Sequence, residues 1–188
     1  MDPDSDLEAA ANAVRDDLDL DRLLGTIGEP HLVGSAALGL MVWPDLDMTV
    51  VCERLDPIEL HLAAGTLIGH PRVRLLTFRN DSDQWNADPA TYPDGIYWGV
   101  EYRDDEHTWN IDIWFVTDAD RQPDLRHLRE LAPRLTPETR AAIITIKREW
   151  AGRPEFRDSV TSFDIYTAVL DHDVRTLEAF AAHLEQHA

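Results

Sequence analysis

Asp45-Leu46-Asp47 opens a run, Met48-Thr49-Val50-Val51-Cys52, that otherwise has the make-up of a buried strand. Aspartate is a poor strand former, so two of them at the head of such a segment need a reason. Residues two apart on a strand point to the same face, which sets Asp45 and Asp47 side by side. Two carboxylates placed that way repel and are costly to bury. A positive group between them removes the conflict, and a divalent cation that prefers oxygen ligands, such as Mg²⁺, is the natural candidate. A third acid then gains interest. Asp112 stands alone among apolar residues in Trp109-Asn-Ile-Asp-Ile-Trp-Phe-Val116, a second predicted strand.

Upstream, Gly34-Ser35 ends a short predicted strand, His31–Gly34, and opens one turn of helix, Ser35–Leu40. Backbone N–H groups exposed at such a turn make an anion cradle, to which glycine gives close access and serine adds a hydroxyl. Nine residues separate Ser35 from Asp45, so a phosphate cradle is followed at once by a carboxylate pair. Together these describe a metal–nucleotide site.

Around this stretch the pattern predicts α/β organisation. An acidic amphipathic helix covers residues 6–24, and a second helix begins at Pro57 and runs to residue 68. Val73–Phe78 is a strand, residues 80–94 hold turn formers and prolines, and Gly95–Tyr102 with Thr108–Val116 form a hairpin. After Thr117 strands stop. Pro123–Leu131, Pro137–Trp150, Ser162–Leu170 and Val174–His187 all have helical spacing. The expected division is an α/β domain over 1–118 and a helical region over 119–188.

The chain of 188 residues carries a net charge of −19, from 36 acidic against 17 basic side chains. A surface of that sign disfavours polyphosphate backbones as a main partner and suits a cationic small molecule or a basic protein; the alternative is a solubilising role in a saline cytoplasm. One cysteine, Cys52, rules out a disulfide framework and makes a cytoplasmic location the default. The acidic N-terminus has no signal-peptide order, and no apolar run is long enough to span a membrane. Lys147 is the only lysine.

Gly34-Ser35-x-Ala37-x-Gly39, Asp45-x-Asp47 and the later Asp112 resemble the nucleotidyltransferase superfamily with the DNA polymerase β-like fold, over residues 31–116. Small bacterial antibiotic-type members share the helical second half. The resemblance implies an α+β fold, a mixed sheet flanked by helices and followed by a helical bundle. It implies that Gly34 and Ser35 bind the triphosphate of ATP or another nucleoside triphosphate. Asp45, Asp47 and Asp112 would hold two Mg²⁺ ions and act as the catalytic acids. The implied reaction moves a nucleotide, AMP from ATP, onto a hydroxyl of a small and cationic acceptor. The sequence departs from the family at Ala36, Ala37 and Leu38, an apolar stretch where many members have a basic or polar residue. Lys147, with Ser162 and Tyr166 one turn apart on the next helix, is the expected replacement at the phosphates.

The alternatives differ in class. The apolar turn favours a nucleotidyltransferase-like interaction module without turnover, such as an antitoxin. A transferase acting on a protein or tRNA is the third. Residue by residue, Asp112 also reads as the outward face of an alternating strand, Lys147 as a surface lysine, Ser162 as a helix cap and Tyr166 as core. Glu149 reads as a solvated face sooner than a general base. Trp43, Trp85 and Trp98 are candidates for stacking on a base or sugar, with core packing as the rival.

Overall fold

Leu46, Met48 and Val50 alternate with Asp45, Asp47 and Thr49, and Ile111, Ile113 and Phe115 alternate with Asp112 and Trp114. This period of two gives each strand one apolar face, and both faces are buried against the same helices. The computed structural model describes residues 3–89, 92–153, 156 and 159–187. Two helices, α1 (Pro3–Asp17) and α2 (Leu20–Gly25), precede strand β1 (Glu29–Val33) and the short helix α3 (Gly34–Leu38). Strand β2 (Asp45–Val51), helix α4 (Pro57–Ile68) and strands β3 (Val73–Asp81), β4 (Gly95–Arg103) and β5 (Thr108–Val116) follow. The rest is helical: α5 (Pro123–Leu131), α6 (Pro137–Trp150), α7 (Ser162–Asp171) and α8 (Leu177–His187). A 3-10 turn, Asp83–Trp85, lies in the stretch expected to be loop.

The strands form one mixed sheet in the order β1-β2-β5-β4-β3. Only β2 and β5 run parallel; the other neighbours are antiparallel. On one face Leu46, Met48, Val50, Trp98, Val100, Ile111, Ile113 and Phe115 pack with Val14 of α1, Leu20 and Leu24 of α2, and Leu60 and Leu67 of α4. Each such side chain contributes roughly 1.5–3 kcal/mol on full burial, so this layer holds the sheet rigid beneath the acids on the opposite face. Trp98 belongs to this core, fully buried with its ring 4.5 Å from that of Phe115, and is not available to a base.

The helix expected over residues 6–24 is two helices. Asp19 takes a left-handed conformation (φ 49°) between them, which lets Leu18 and Leu20 both turn inward. Cys52 is buried and free, and burial pushes its thiol up to about 11.

The chain divides into two compact units, Met1–Glu130 and Leu131–Ala188, so α5 groups mainly with the sheet. Within the second unit α7 and α8 pack against α6, with Trp150 edge-on to Phe180 at 5.1 Å. No helix among the described residues is long and apolar enough to cross a membrane.

Candidate active site

The parallel register of β2 and β5 pairs Asp47 with Asp112 and Asp45 with Asn110. All three aspartates are half-buried, while their neighbours Leu46, Met48, Ile111 and Ile113 are buried on the other face. Strand pairing therefore brings the two predicted acids of β2 and the lone acid of β5 to one surface of the sheet.

Gly34 joins them through β1. Val33 is the last residue of β1 and pairs with Asp47, so the chain leaves the ladder beside that carboxylate. Gly34 turns it with φ +61° and starts α3. A Cβ on Gly34 would lie 2.0 Å from Asp47 Oδ2, so the carboxylate rests where any other residue's side chain would be. Ser35, the next residue, is buried at 9 % exposure.

Asp45 and Asp112 each also accept from a neighbouring side chain. Trp43 Nε1 donates to Asp45 Oδ2 at 3.2 Å, which accounts for Trp43 without a stacking role. Tyr97 Oη donates to Asp112 Oδ1 at 2.6 Å. Burial raises the Tyr97 phenol far above its ordinary range, and the bond to Asp112 and that residue's charge raise it further, so the phenol stays protonated and remains the donor. Tyr97 has no signal of its own in the sequence. Gly99 has one: it pairs with Asp112, and a Cβ there would lie 2.5 Å from Tyr97 Oη. A glycine inside a strand often marks such a close approach.

One row further along the same face, β3, β4 and β5 pair Arg79 with Tyr97 and Tyr97 with Trp114. The Arg79 guanidinium carbon lies 4.2 Å from the Tyr92 ring centre and 4.9 Å from that of Tyr97. This cluster draws on three elements far apart in sequence and was not legible in any one of them.

The donor set suits a hard divalent cation: three carboxylates on adjacent strands, offering oxygen only. The side chains as they stand do not converge. Among the described residues no group of three or more His, Cys, Asp or Glu is close enough to hold a metal ion. Carboxylates sharing a face repel, and here Asp45 and Asp112 turn toward separate donors, Trp43 and Tyr97. The strand register puts the three acids on one surface, and holding an ion there would require their side chains to swing together.

Lys147, Ser162 and Tyr166 lie in the second unit. Lys147 is fully buried, and its Nζ donates to Tyr166 Oη at 3.2 Å with the ring centre 5.4 Å away. Ser162 is half-buried at the first position of α7; the cap itself is Thr161, in a capping box with Asp164. Glu149 is exposed, as a solvated face requires, and Trp85 is exposed as well.

No protein-family model matches the chain, and no curated protein does. Its fold has solved neighbours. It is similar to the poly(A) polymerase of the GLD-2–GLD-3 complex with 16 % identity and a TM-score of 0.59, covering 87 % of this chain and 52 % of that one. The Cid1 poly(U) polymerase with Mg and 3′-dATP gives 18 % identity, a TM-score of 0.59, and coverage of 87 % and 48 %. A cytoplasmic RNA terminal U-transferase gives 16 %, 0.54, and coverage of 90 % and 46 %. The chain thus spans about half the length of the solved structures it matches. Its fold is that of the nucleotidyltransferases, with the five-stranded mixed sheet that the Gly-Ser and Asp-x-Asp pattern implied.

Proposed function

We propose that the chain is a Mg²⁺-dependent nucleotidyltransferase that moves a nucleoside monophosphate, AMP from ATP, to a hydroxyl of a small cationic acceptor. One observation carries this reading: Asp45, Asp47 and Asp112 share one face of a nucleotidyltransferase sheet, with Gly34 opened against Asp47. Asp45, Asp47 and Asp112 would hold the metal, which when bound supplies positive charge for the attacking and leaving oxygens. Gly34 and Ser35 would meet the triphosphate. The acceptor oxygen forms a bond to the α-phosphorus, the bond to the bridging oxygen of pyrophosphate breaks, and the hydroxyl proton passes to Asp112. The acidic charge supports a cationic acceptor over a nucleic acid, although the fold's neighbours include enzymes of RNA. A reducing, cytoplasmic setting suits the single buried thiol.

The test is pyrophosphate release with ATP, Mg²⁺ and amine-bearing acceptors. The wild-type chain should release it and Asp47→Asn should not. Absence of Mg-ATP binding in the wild type, with no change in either variant Asp45→Asn or Asp47→Asn, overturns the reading. A second reading is favoured by the apolar turn Ala36–Leu38: a domain that binds a partner protein without turnover. It predicts no pyrophosphate release with any small, protein or tRNA acceptor.

A further inference from the structure

Asp112 stands between two strands that make different demands on it. Across the parallel β2–β5 pair it faces Asp47, and across the antiparallel β5–β4 pair it faces Gly99. A cation shared with Asp45 and Asp47 calls the carboxylate toward β2. Tyr97 calls it toward β4, through the bond from Oη to Asp112 Oδ1 at 2.6 Å. A hydroxyl donating to a carboxylate at this length belongs to the stronger class of hydrogen bonds. Breaking one shifts an equilibrium by about tenfold or more.

The seat of the phenol is built from several strands. A Cβ at position 99 would lie 2.5 Å from Tyr97 Oη and 3.0 Å from Cζ, so glycine at that position gives the phenol its room beside Asp112. Glycine weakens a strand interior, and this close approach is what the weakening allows. The Tyr97 ring is packed by Trp114, with ring centres 5.2 Å apart, and by the Arg79 guanidinium carbon, 4.9 Å from its centre. Arg79 is itself tied through Nε to Asp81 Oδ2 at 2.5 Å. Phenylalanine would make the same ring contacts. The hydroxyl adds one thing to them, the bond to Asp112.

We propose that Tyr97 is a latch on the third acid: it holds Asp112 toward β4, and the carboxylate joins Asp45 and Asp47 around a divalent cation only by leaving the phenol. The latch lowers the affinity of the three acids for a bare ion. Nucleotide phosphates bring further oxygen ligands, so uptake of the ion together with the nucleotide is favoured over uptake alone. The proposal rests on the transferase reading for the identity of the site.

Calorimetric titration of the whole chain with Mn²⁺ alone tests it, since Mn²⁺ takes the same oxygen ligands as Mg²⁺. Tyr97→Phe removes the hydroxyl and keeps the ring, and should bind Mn²⁺ about tenfold tighter than wild type. Gly99→Ala keeps the hydroxyl and crowds it off Asp112, and should tighten binding in the same direction; it decides the matter should Tyr97→Phe fail to fold. Tyr92→Phe removes a hydroxyl from the same aromatic cluster and should change nothing. Mg²⁺ should also alter the near-ultraviolet tyrosine absorbance of wild type and leave that of Tyr97→Phe unaltered, a signal that a purely structural phenol would not give. Equal or weaker Mn²⁺ affinity in both Tyr97→Phe and Gly99→Ala overturns the latch; weaker binding would make the phenol a support of metal-bound Asp112. The two ideas fail distinguishably. Mn²⁺ binding that Asp47→Asn abolishes and neither variant tightens leaves the transferase reading standing without the latch. Absence of Mn²⁺ and Mg-ATP binding from wild type and both variants removes the two together.

Discussion

Gly34 combines two constraints, a left-handed backbone (φ +61°) and a would-be Cβ only 2.0 Å from Asp47 Oδ2. Alanine there meets both. The strain alone is of order 1–3 kcal/mol, and relief requires the Asp47 carboxylate to move off its seat. Gly34→Ala should therefore lower stability in urea melts by about 1–3 kcal/mol and weaken Mg-ATP binding. A variant with unchanged melting and unchanged nucleotide binding would show that the glycine serves neither purpose. Asp45, Asp47, Asp112 and Gly34 were legible in sequence because each breaks a local rule: acids in a strand, a glycine at a strand end. Tyr97 and Arg79 break none. An aromatic residue or arginine in a strand is ordinary locally; their placement beside Asp112 arises only from the pairing of β3 with β4 and β4 with β5.

At the scale of elements, the strands and helices followed hydrophobic period closely, and the differences have local causes. Strand β3 continues to Asp81 because Arg79, Asn80 and Asp81 pair with Tyr97, Ile96 and Gly95, which a polar ending does not announce. The break at Asp19 divides the first helix because aspartate adopts the left-handed region at low cost. The last helix begins at Leu177, three residues after Val174. The caps of the second unit are explicit. Thr136 accepts from Thr139 N at 3.2 Å, and Thr136 N donates to Thr139 Oγ1 at 2.8 Å, closing the start of α6, the helix that carries Lys147. Thr136→Ala removes the side-chain half of that box. It should cost about 1 kcal/mol, seen as a melting point lower by roughly 2–4 °C, while Thr136→Ser should restore it. An unchanged melting point in the alanine variant would mean that this cap is not limiting.

At the scale of the whole molecule the charge is unevenly shared. Residues 1–130 hold 27 acidic and 10 basic side chains, whereas residues 131–188 hold nine and seven. Nearly all of the net charge of −19 thus sits in the unit that carries the three aspartates. A potential of one sign raises the local concentration of cations and repels a polyanion, and salt screens both effects over about 8 Å at physiological ionic strength. The sign of the salt dependence separates the two acceptor classes. Affinity for an amine-bearing small acceptor should fall as NaCl rises from about 0.05 to 0.5 M, because screening removes an attraction. Affinity for oligo(A) should stay weak and should not fall over that range, because screening removes a repulsion. Proteins that grip nucleic acid through lysine and arginine behave the opposite way, losing affinity steeply as counterions compete. A steep loss of oligo(A) binding with salt would therefore show a basic phosphate track at work on this acidic chain, and would move the acceptor from a cationic small molecule to RNA.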